Sequence, residues 1–332
     1  MWAGFAAHPA EDRFHDSVVP LGGGAAIFWT VALVISAGAI IVNFFVAQDR
    51  LPWLGQAVTI HAEGFLSRLD ELSVMMVCLL ALHLLGLWDD RKHLGPVFKL
   101  AVQFVVAGAA AYFGDIRVEL FIESRIITSA MSAFWIVLII NAFNFLDNMD
   151  GLSAGVAVIA SAVLFSAAAL SGQLFIGALA LVFIGAMLGF LVFNFPPAKI
   201  FMGDAGSLVV GFLVATLTLR TTYYDQAQGG GLYVVLMPLV VMAVPLYDFV
   251  SVTMLRISQG KSPFVGDTQH FSHRLKRRGL SDTQTVLTLY LATLCTGLSA
   301  IFLYRANLVE AILIFAQTIM ILVIIAIMEA TG

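Results

Sequence analysis

Long apolar runs separated by short polar segments follow one another along the whole chain. Ten runs have, or approach, the length that a helix needs to cross the hydrocarbon of a bilayer. They cover about 20–46, 73–88, 96–113, 128–147, 152–170, 174–195, 207–220, 232–256, 283–303 and 307–328. Because backbone amides in lipid must pair within their own segment, each run is predicted to be a helix. The pattern predicts an all-α polytopic membrane protein with about ten transmembrane helices, in which residues 1–332 form a single domain.

Composition agrees with a membrane protein and excludes an ordinary soluble domain. Hydrophobic residues make up 60% of the chain and charged residues only 11%, whereas roughly a quarter of a soluble domain is charged. The mean hydropathy is +0.96. The formal net charge of −4 gives no sign of a nucleic-acid partner. Cys78 and Cys295 lie inside apolar runs and are interpreted as small core residues.

The distribution of cations predicts the orientation in the membrane. With ten spans, the N-terminus, the C-terminus and the loops after every second span share one side. That side carries 11 of the 17 Lys and Arg residues, including all five lysines. The positive-inside rule makes it the cytoplasmic side of a multi-pass cell-membrane protein.

Four polar motifs fall in the loops of that same side. They are Leu-Trp-Asp89-Asp90, the segment Asn141–Gly151, the segment Phe201–Ser207, and the segment Asp267–Arg274. Carboxylates, amides and imidazoles gathered at one membrane face indicate a metal and phosphate site rather than a transport pathway.

Asp89 and Asp90 end the second run. A single Asp at this position would be explained as a polar residue that ends an apolar helix. Two adjacent carboxylates raise each other's pKa and favour a nearby cation, either a metal ion or Lys99. Lys99 follows Asp90 by nine residues, across a Gly-Pro turn that would return its ammonium to the pair. Snorkelling to the interface is the alternative for this lysine. Gln103, one turn further on, faces the same way.

The segment Asn141–Gly151 is the most specific of the four. Asn141, Asn144 and Asn148 recur at helical spacing, and Asp147 and Asp150 continue the series. Hydrogen bonding between helices would explain one Asn. It does not explain so many amide and acid side chains at the end of one apolar run, because each costs roughly 2–3 kcal/mol in a membrane when unpaired. Carboxylate and amide oxygens suit Mg²⁺.

Asp204 lies in a glycine-containing turn that opens the seventh run, after the Pro196-Pro197 pair ends the sixth. A helix N-terminus at this position suits phosphate, and Asp204 is a candidate metal ligand or N-cap. His270, His273 and Arg274 fit a diphosphate better than zinc, because no Cys or third His is near.

Together these motifs resemble the polyprenyl-phosphate N-acetylhexosamine-1-phosphate transferase family, in particular the branch that uses undecaprenyl phosphate and GlcNAc-1-phosphate. The matching pieces are His15, Pro20, Gly23-Gly24, Leu85–Asp90, Lys99, Gln103, Asn141–Gly155, Phe201–Ser207, Pro245–Asp248 and His270–Arg274. Two features depart from that branch. Ser272 stands where a His is usual, and the family's first helix, ahead of the His15 segment, is absent from this sequence.

The resemblance implies an enzyme that transfers a sugar-1-phosphate from a UDP-N-acetylhexosamine to polyprenyl phosphate and releases UMP. Its cofactor would be Mg²⁺, with Mn²⁺ as an alternative, and its partners the two substrates, the bilayer and a second copy in a homodimer. UDP-GlcNAc is the default donor, and other N-acetylhexosamines stay open because Ser272 alters the loop expected to read the donor.

The resemblance also assigns roles to the site residues. The metal ligands would be Asn144 and Asp204. The catalytic group would be Asp89, Asp90, Asp147 and Asp150. The substrate-binding group would be Lys99, Gln103, Asn141, His270, His273 and Arg274.

A polytopic transporter of a phosphorylated or nucleotide-linked substrate is the alternative function. Transporters more often carry charged groups in mid-span, broken helices and internal repeats. Asp248 is the only mid-span candidate, and no convincing repeat is present. The enzyme is therefore favoured.

Overall fold

A computed structural model describes residues 6–7, 19–46, 48, 50, 59–118, 122–221, 231–262 and 270–330. His15 and Asp267, which the sequence motifs include, lie outside these residues. The helices are α1 Gly23–Ile41, α2 Ala62–Leu66, α3 Leu69–Lys92, α4 Pro96–Phe113, α5 Arg125–Leu146, α6 Leu152–Leu170, α7 Leu174–Asn194, α8 Asp204–Arg220, α9 Met237–Val241, α10 Ala243–Ser258, α11 Phe271–Arg277, α12 Asp282–Leu303 and α13 Leu308–Ala330. A π-helical turn, Val42–Val46, continues α1, and a 3-10 turn, Leu232–Leu236, precedes α9.

All ten apolar runs are helical, which confirms the predicted all-α membrane architecture. Eight helices are long and apolar enough to cross a membrane, and the bent pair formed by 232–241 and α10 makes a ninth if it is counted as one span. The remaining run, at 207–220, lies in α8, which has only 17 residues.

The sole strands in the described part are β1 Ala6–Ala7 and β2 Val19–Pro20, which pair antiparallel.

The run at 232–256 is not one continuous span, contrary to the prediction. It bends by 66° between α9 and α10. The break lies at Met242, whose backbone N–H still donates to Pro238. Pro245 has no N–H to donate to the carbonyl of Val241, and its ring clashes with that carbonyl in a continuous helix. The proline therefore accounts for the position of the bend.

Helix α8 forms the centre of the bundle. Its residues from Ala205 to Thr218 are all buried, and it packs mainly against α5 and α3, and also against α1 and α6. Between its charged ends the helix is apolar on nearly all sides, as expected at such a position, because these turns face only other helices.

Ion pairs fix the end of α8 that is remote from the polar motifs. Arg220 pairs with Glu71 at 3.1 Å and with Asp115 at 3.4 Å. Asp115 also pairs with Arg117 at 2.7 Å. Partly exposed pairs of this kind contribute little stability individually. They nevertheless join α8 to the start of α3 and to the residues after α4, so α8 reaches both ends of the bundle.

Candidate functional site

Four helix ends bring polar side chains together at one end of the bundle. Asp89 and Asp90 come from the end of α3, Lys99 from the first turn of α4, Asn144 from the last turn of α5, and Asp204 from the start of α8. We call these five residues the carboxylate cluster. The Lys99 ammonium pairs with Asp89 at 3.0 Å and also with Asp204. The Asn144 amide donates to Asp204 Oδ1 at 2.9 Å.

The return of Lys99 to the aspartate pair is confirmed. His93 ends α3 in the left-handed conformation, with φ 47°. The next backbone N–H, that of Leu94, donates to Asp89 Oδ1 at 2.6 Å, and Pro96 then opens α4. This tight turn places Lys99 beside Asp89, so one side chain neutralises carboxylates from two helices.

Asp90 caps helix α8. Its two oxygens accept the backbone N–H groups of Asp204, at 2.8 Å, and Ala205, at 3.1 Å. These N–H groups have no partner within the helix, and the positive end of the helix dipole favours a carboxylate there. Asp204 itself is therefore not the cap, which was the alternative interpretation of that residue. Its side chain instead faces Lys99 and Asn144.

Close backbone packing holds the start of α8 in place. A Cβ at Gly24 would lie 2.3 Å from Gly206 N, and one at Gly86 would lie 2.4 Å from the backbone of Ala205. The buried His83 ring hydrogen-bonds the carbonyl of Ala205 at 3.0 Å. Helices α1 and α3 therefore contact the first turn of α8 directly.

Gln103 and Asn141 lie one turn further from the helix ends than Lys99 and Asn144. They hydrogen-bond each other at 2.7 Å, and Gln103 is fully buried. The pair joins α4 to α5. The structure therefore does not bring Gln103 to a surface that a substrate could reach, although the sequence predicted both residues to bind substrate.

The turn after α5 holds the remaining predicted carboxylates. Asp147 is the C-cap residue of α5 and is partly exposed. Asp150 accepts the backbone N–H of Ala198 at 2.9 Å, which ties this turn to the loop that leads into α8. The catalytic roles of both residues stay predictions.

Asn194 supports both loops, and sequence reasoning missed it. Its Oδ1 accepts the Gly151 N–H and its Nδ2 donates to the Ile200 carbonyl, both at 2.9 Å. The residue is buried at the end of α7. An Asn at the end of an apolar run, just before a proline pair, was the only available signal.

Replacing Asn194 with Ala should destabilise the protein. Both partners would lose their hydrogen bonds in a buried environment, at about 1–3 kcal/mol for each group left unsatisfied. Thermal unfolding of the purified protein would measure the loss. Asn43→Ala, in the π-helical turn at the far end of α1, is the matched control and should change little. Equal melting temperatures for the two variants would contradict the supporting role.

The segment from His270 to Arg278, which we call the basic segment, docks on α10 and α13. Asp248, in α10, contacts His270 and the backbone N–H of Phe271. Arg256, further along the same helix, lies over the Phe145 ring, with its guanidinium carbon 4.9 Å from the ring centroid.

Arg274 is engaged away from the carboxylate cluster. It pairs with Glu329 at 2.9 Å and hydrogen-bonds Ser251 at 2.9 Å. It lines an open cavity of about 520 Å³, whose other lining residues are Leu255, Gln259, Arg277, Arg278 and Glu329. A contact between Arg274 and a diphosphate at the cluster would require the exchange of these partners. The pairing of Arg274 with Glu329 could not be predicted from the sequence, because the two residues are far apart in the chain.

Ser272 connects the basic segment to the end of α5. Its hydroxyl donates to Asn148 Oδ1 at 2.5 Å, and the residue is fully buried. The His270 ring meets the edge of Phe145 at 5.5 Å. The basic segment therefore lies at the same end of the bundle as the carboxylate cluster. Ser272 faces protein rather than open space, so its effect on a donor would be indirect.

Burial lowers the pKa of His273 to about 4, and the nearby Lys276 and Arg277 act in the same direction. His273 is therefore neutral near pH 7, and its role in substrate binding stays a prediction. The unfolded chain has a His pKa near 6.5 and so binds more protons between pH 6.5 and 4. The free energy of unfolding should consequently fall as the pH drops through this range.

Melting temperatures measured from pH 7.5 to 4.5 would check this pH dependence. His273→Asn should flatten the curve in the acidic range, because the buried titrating group is gone. His93→Asn, which removes an exposed histidine, should leave the curve as in the parent protein. An unchanged slope in His273→Asn would show that other groups cause the acid sensitivity.

The donor set of the carboxylate cluster fits a hard cation. Oxygens of Asp89 and Asp204 already contact one positive group, the Lys99 ammonium. Mg²⁺ characteristically takes one or two protein carboxylates and fills its other positions with water and phosphate oxygens. In the described ranges no group of three or more His, Cys, Asp or Glu residues forms a ready metal cage. Asn144 presents its nitrogen to Asp204, so its amide would have to turn over to coordinate a metal ion.

Fold and site together define a polytopic membrane protein with a cluster of carboxylates around one lysine at one end of its bundle. Residues 72–222 match the family model of glycosyl transferase family 4. Over 98% of its length the chain is 32% identical to a Bacillus subtilis (strain 168) protein, of which it covers 84%. The chain belongs to glycosyl transferase family 4, which confirms the resemblance found in the sequence.

The names of the relatives describe one kind of enzyme. The Bacillus subtilis protein is a probable undecaprenyl-phosphate N-acetylglucosaminyl 1-phosphate transferase. A decaprenyl-phosphate N-acetylglucosaminephosphotransferase of Mycobacterium tuberculosis (strain ATCC 25618 / H37Rv) is 31% identical over 87% of this chain and 73% of its own length. The undecaprenyl-phosphate alpha-N-acetylglucosaminyl 1-phosphate transferase of Escherichia coli (strain K12) is 26% identical over 87% of this chain and 74% of its own.

Proposed function

We propose that the protein transfers N-acetylhexosamine-1-phosphate, by default GlcNAc-1-phosphate, from a UDP-sugar to polyprenyl phosphate. The products are UMP and a polyprenyl diphosphate sugar that starts a cell-envelope polysaccharide. The observation that carries this proposal is the carboxylate cluster, in which Lys99 and Asp204 meet at one end of an apolar bundle. The names of three relatives that align over most of this chain support it.

In the proposed reaction, an oxygen of the lipid phosphate attacks the sugar-bearing phosphorus of the donor. The new bond is a diphosphate linkage, and the bond from that phosphorus to the bridging oxygen breaks, so UMP leaves with the electron pair. The lipid phosphate is already mostly dianionic near pH 7, because its second pKa is about 6. A base such as Asp89 is therefore helpful rather than essential, and we favour one-step attack.

Charge neutralisation and positioning are the main demands of phosphoryl transfer. Lys99 supplies a positive charge, and the N-terminal turn of α8 adds the positive end of a helix dipole. Asp90 holds that turn through its two backbone hydrogen bonds. The basic segment at the same end of the bundle would complement the donor diphosphate.

We further propose that Asp204 would hold Mg²⁺, with Asn144 as a second ligand after its amide turns over; Mn²⁺ is the alternative ion. When bound, the metal ion would supply charge neutralisation for the phosphoryl oxygens.

We also propose that this end of the bundle faces the cytoplasm, which the excess of Lys and Arg on its side supports. Assembly into a homodimer stays a prediction.

A transport assay separates this proposal from its alternative. The bend of 66° between α9 and α10 favours a transporter to some degree, since broken helices occur in transporters. Proteoliposomes with radiolabelled UDP-GlcNAc and undecaprenyl phosphate should move the label into the organic phase and release UMP. A chelator should abolish this transfer, and added Mg²⁺ should restore it. Water-soluble label that accumulates in the lumen without a lipid acceptor, and no label in the organic phase, would overturn the enzyme in favour of the transporter.

A further inference from the structure

Asp248 is a fully buried carboxylate outside the carboxylate cluster. It lies in α10, just after the bend in the chain. Its Oδ1 accepts the backbone N–H of Phe271 at 3.0 Å, and its Oδ2 lies 2.9 Å from His270 Nδ1. Both oxygens are thus engaged with the first residues of the basic segment, and the buried carboxylate has no surface that a substrate could reach.

The contact determines which nitrogen of His270 carries a proton. An ionised carboxylate can only accept hydrogen bonds, so Nδ1 must be the donor. The hydrogen bond at one ring nitrogen sets the role of the other. Nε2 is left as the nitrogen that can meet a ligand: it donates to a phosphate oxygen when the ring is doubly protonated and accepts a proton when it is not.

The surroundings of His270 restrict the ring to one orientation. The Phe145 ring meets it edge-on at 5.5 Å, and the His273 ring lies at 6.3 Å. The side chain is only 8% exposed. Phe145 follows Asn144 directly in the chain, so the same turn of α5 contacts both His270 and the carboxylate cluster.

We propose that Asp248 is a positioning residue of the transferase. It holds His270 with Nδ1 protonated and with the ring fixed by Phe145, so that Nε2 serves the phosphate groups of the substrates. This inference rests on the proposed function. Asp248 itself touches neither substrate, and it acts through His270.

Two substitutions separate positioning from simple structural support. Asp248→Asn retains an oxygen for the Phe271 N–H but offers an N–H to His270, which forces the opposite tautomer. Asp248→Ala removes both contacts. We expect Asp248→Asn to lower kcat about 10- to 100-fold, as the loss of orienting partners typically does, with little change in KM or melting temperature. Asp282→Asn, which removes the 2.7 Å partner of Lys276 at the other end of α11, is the matched control and should keep parental kinetics.

A double-mutant cycle tests whether Asp248 works through His270. Once His270→Ala is present, adding Asp248→Asn should have no further effect on kcat. Parental kcat in Asp248→Asn, or an additional loss in the His270→Ala background, would overturn the proposal. In the first case Asp248 would serve only to hold the Phe271 N–H.

Nitrogen NMR of protein labelled at its histidines gives a readout that needs no activity. The His270 signals, assigned by their loss in His270→Ala, should report protonated Nδ1 in the parent protein and protonated Nε2 in Asp248→Asn. The opposite tautomer in the parent would overturn the inference. A parent protein that lacks transferase activity but shows protonated Nδ1 would instead refute the proposed function and the catalytic purpose assigned to Asp248.

Discussion

Asp204→Asn should abolish most transferase activity without unfolding the protein. Asp204 contacts both Lys99 and Asn144 and is a proposed ligand of the metal ion. Asn is nearly the same size and retains one oxygen, but it lacks the charge. Removal of one group that stabilises a charged transition state commonly costs about 100- to 1,000-fold in kcat, so a loss of at least about 100-fold is expected.

The melting temperature of Asp204→Asn should stay the same or rise. Three carboxylates, those of Asp89, Asp90 and Asp204, converge at this end of the bundle with one ammonium among them, and like charges in proximity disfavour the folded state. Functional sites often retain such destabilising arrangements. Asp70→Asn, an exposed carboxylate at the opposite end of α3, is the control and should retain both activity and stability. Near-parental kcat in Asp204→Asn would remove the basis of the proposed site.

Helix positions could be predicted closely because the apolar runs are long and their ends are polar. The limits predicted for α4 and α6 agree with the structure to the residue. The predicted run at 73–88 is too short, since α3 extends from Leu69 to Lys92. The two ends of α3 carry charged residues that pair with other helices or cap them. A prediction based on hydropathy assigns such residues to the loops.

The convergence of the motifs was predictable, but several of their contacts were not. Lys99 returns to Asp89 across a short turn, and local geometry suffices to predict that contact. The engagement of Arg274 by Glu329 and of His270 by Asp248 joins residues distant in the chain. Such pairings depend on how α10, α11 and α13 pack, and a single sequence does not contain that information.

Gly86→Ala should reduce activity at least about 100-fold, although residue 86 carries no functional group. An added Cβ would lie 2.4 Å from three backbone atoms of Asp204 and Ala205. Carbon atoms in contact prefer about 3.5–4.0 Å, so α3 and the start of α8 would have to separate by roughly 1 Å. A displacement of that size at a reacting centre can cost about 100-fold in rate. Overpacking of this kind also typically costs about 1–3 kcal/mol of stability.

Gly108→Ala is the matched control for this substitution. Gly108 lies within α4, and an added Cβ there would meet nothing within 4 Å. Ala is also the better helix former, by up to about 1 kcal/mol, so the control should be as stable as the parent protein and fully active. Kinetic and melting measurements on both variants would show whether the separation of α3 from α8 sets the rate. If Gly86→Ala matched Gly108→Ala in kcat, the position of Asp204 would not depend on the packing of α3 against the first turn of α8.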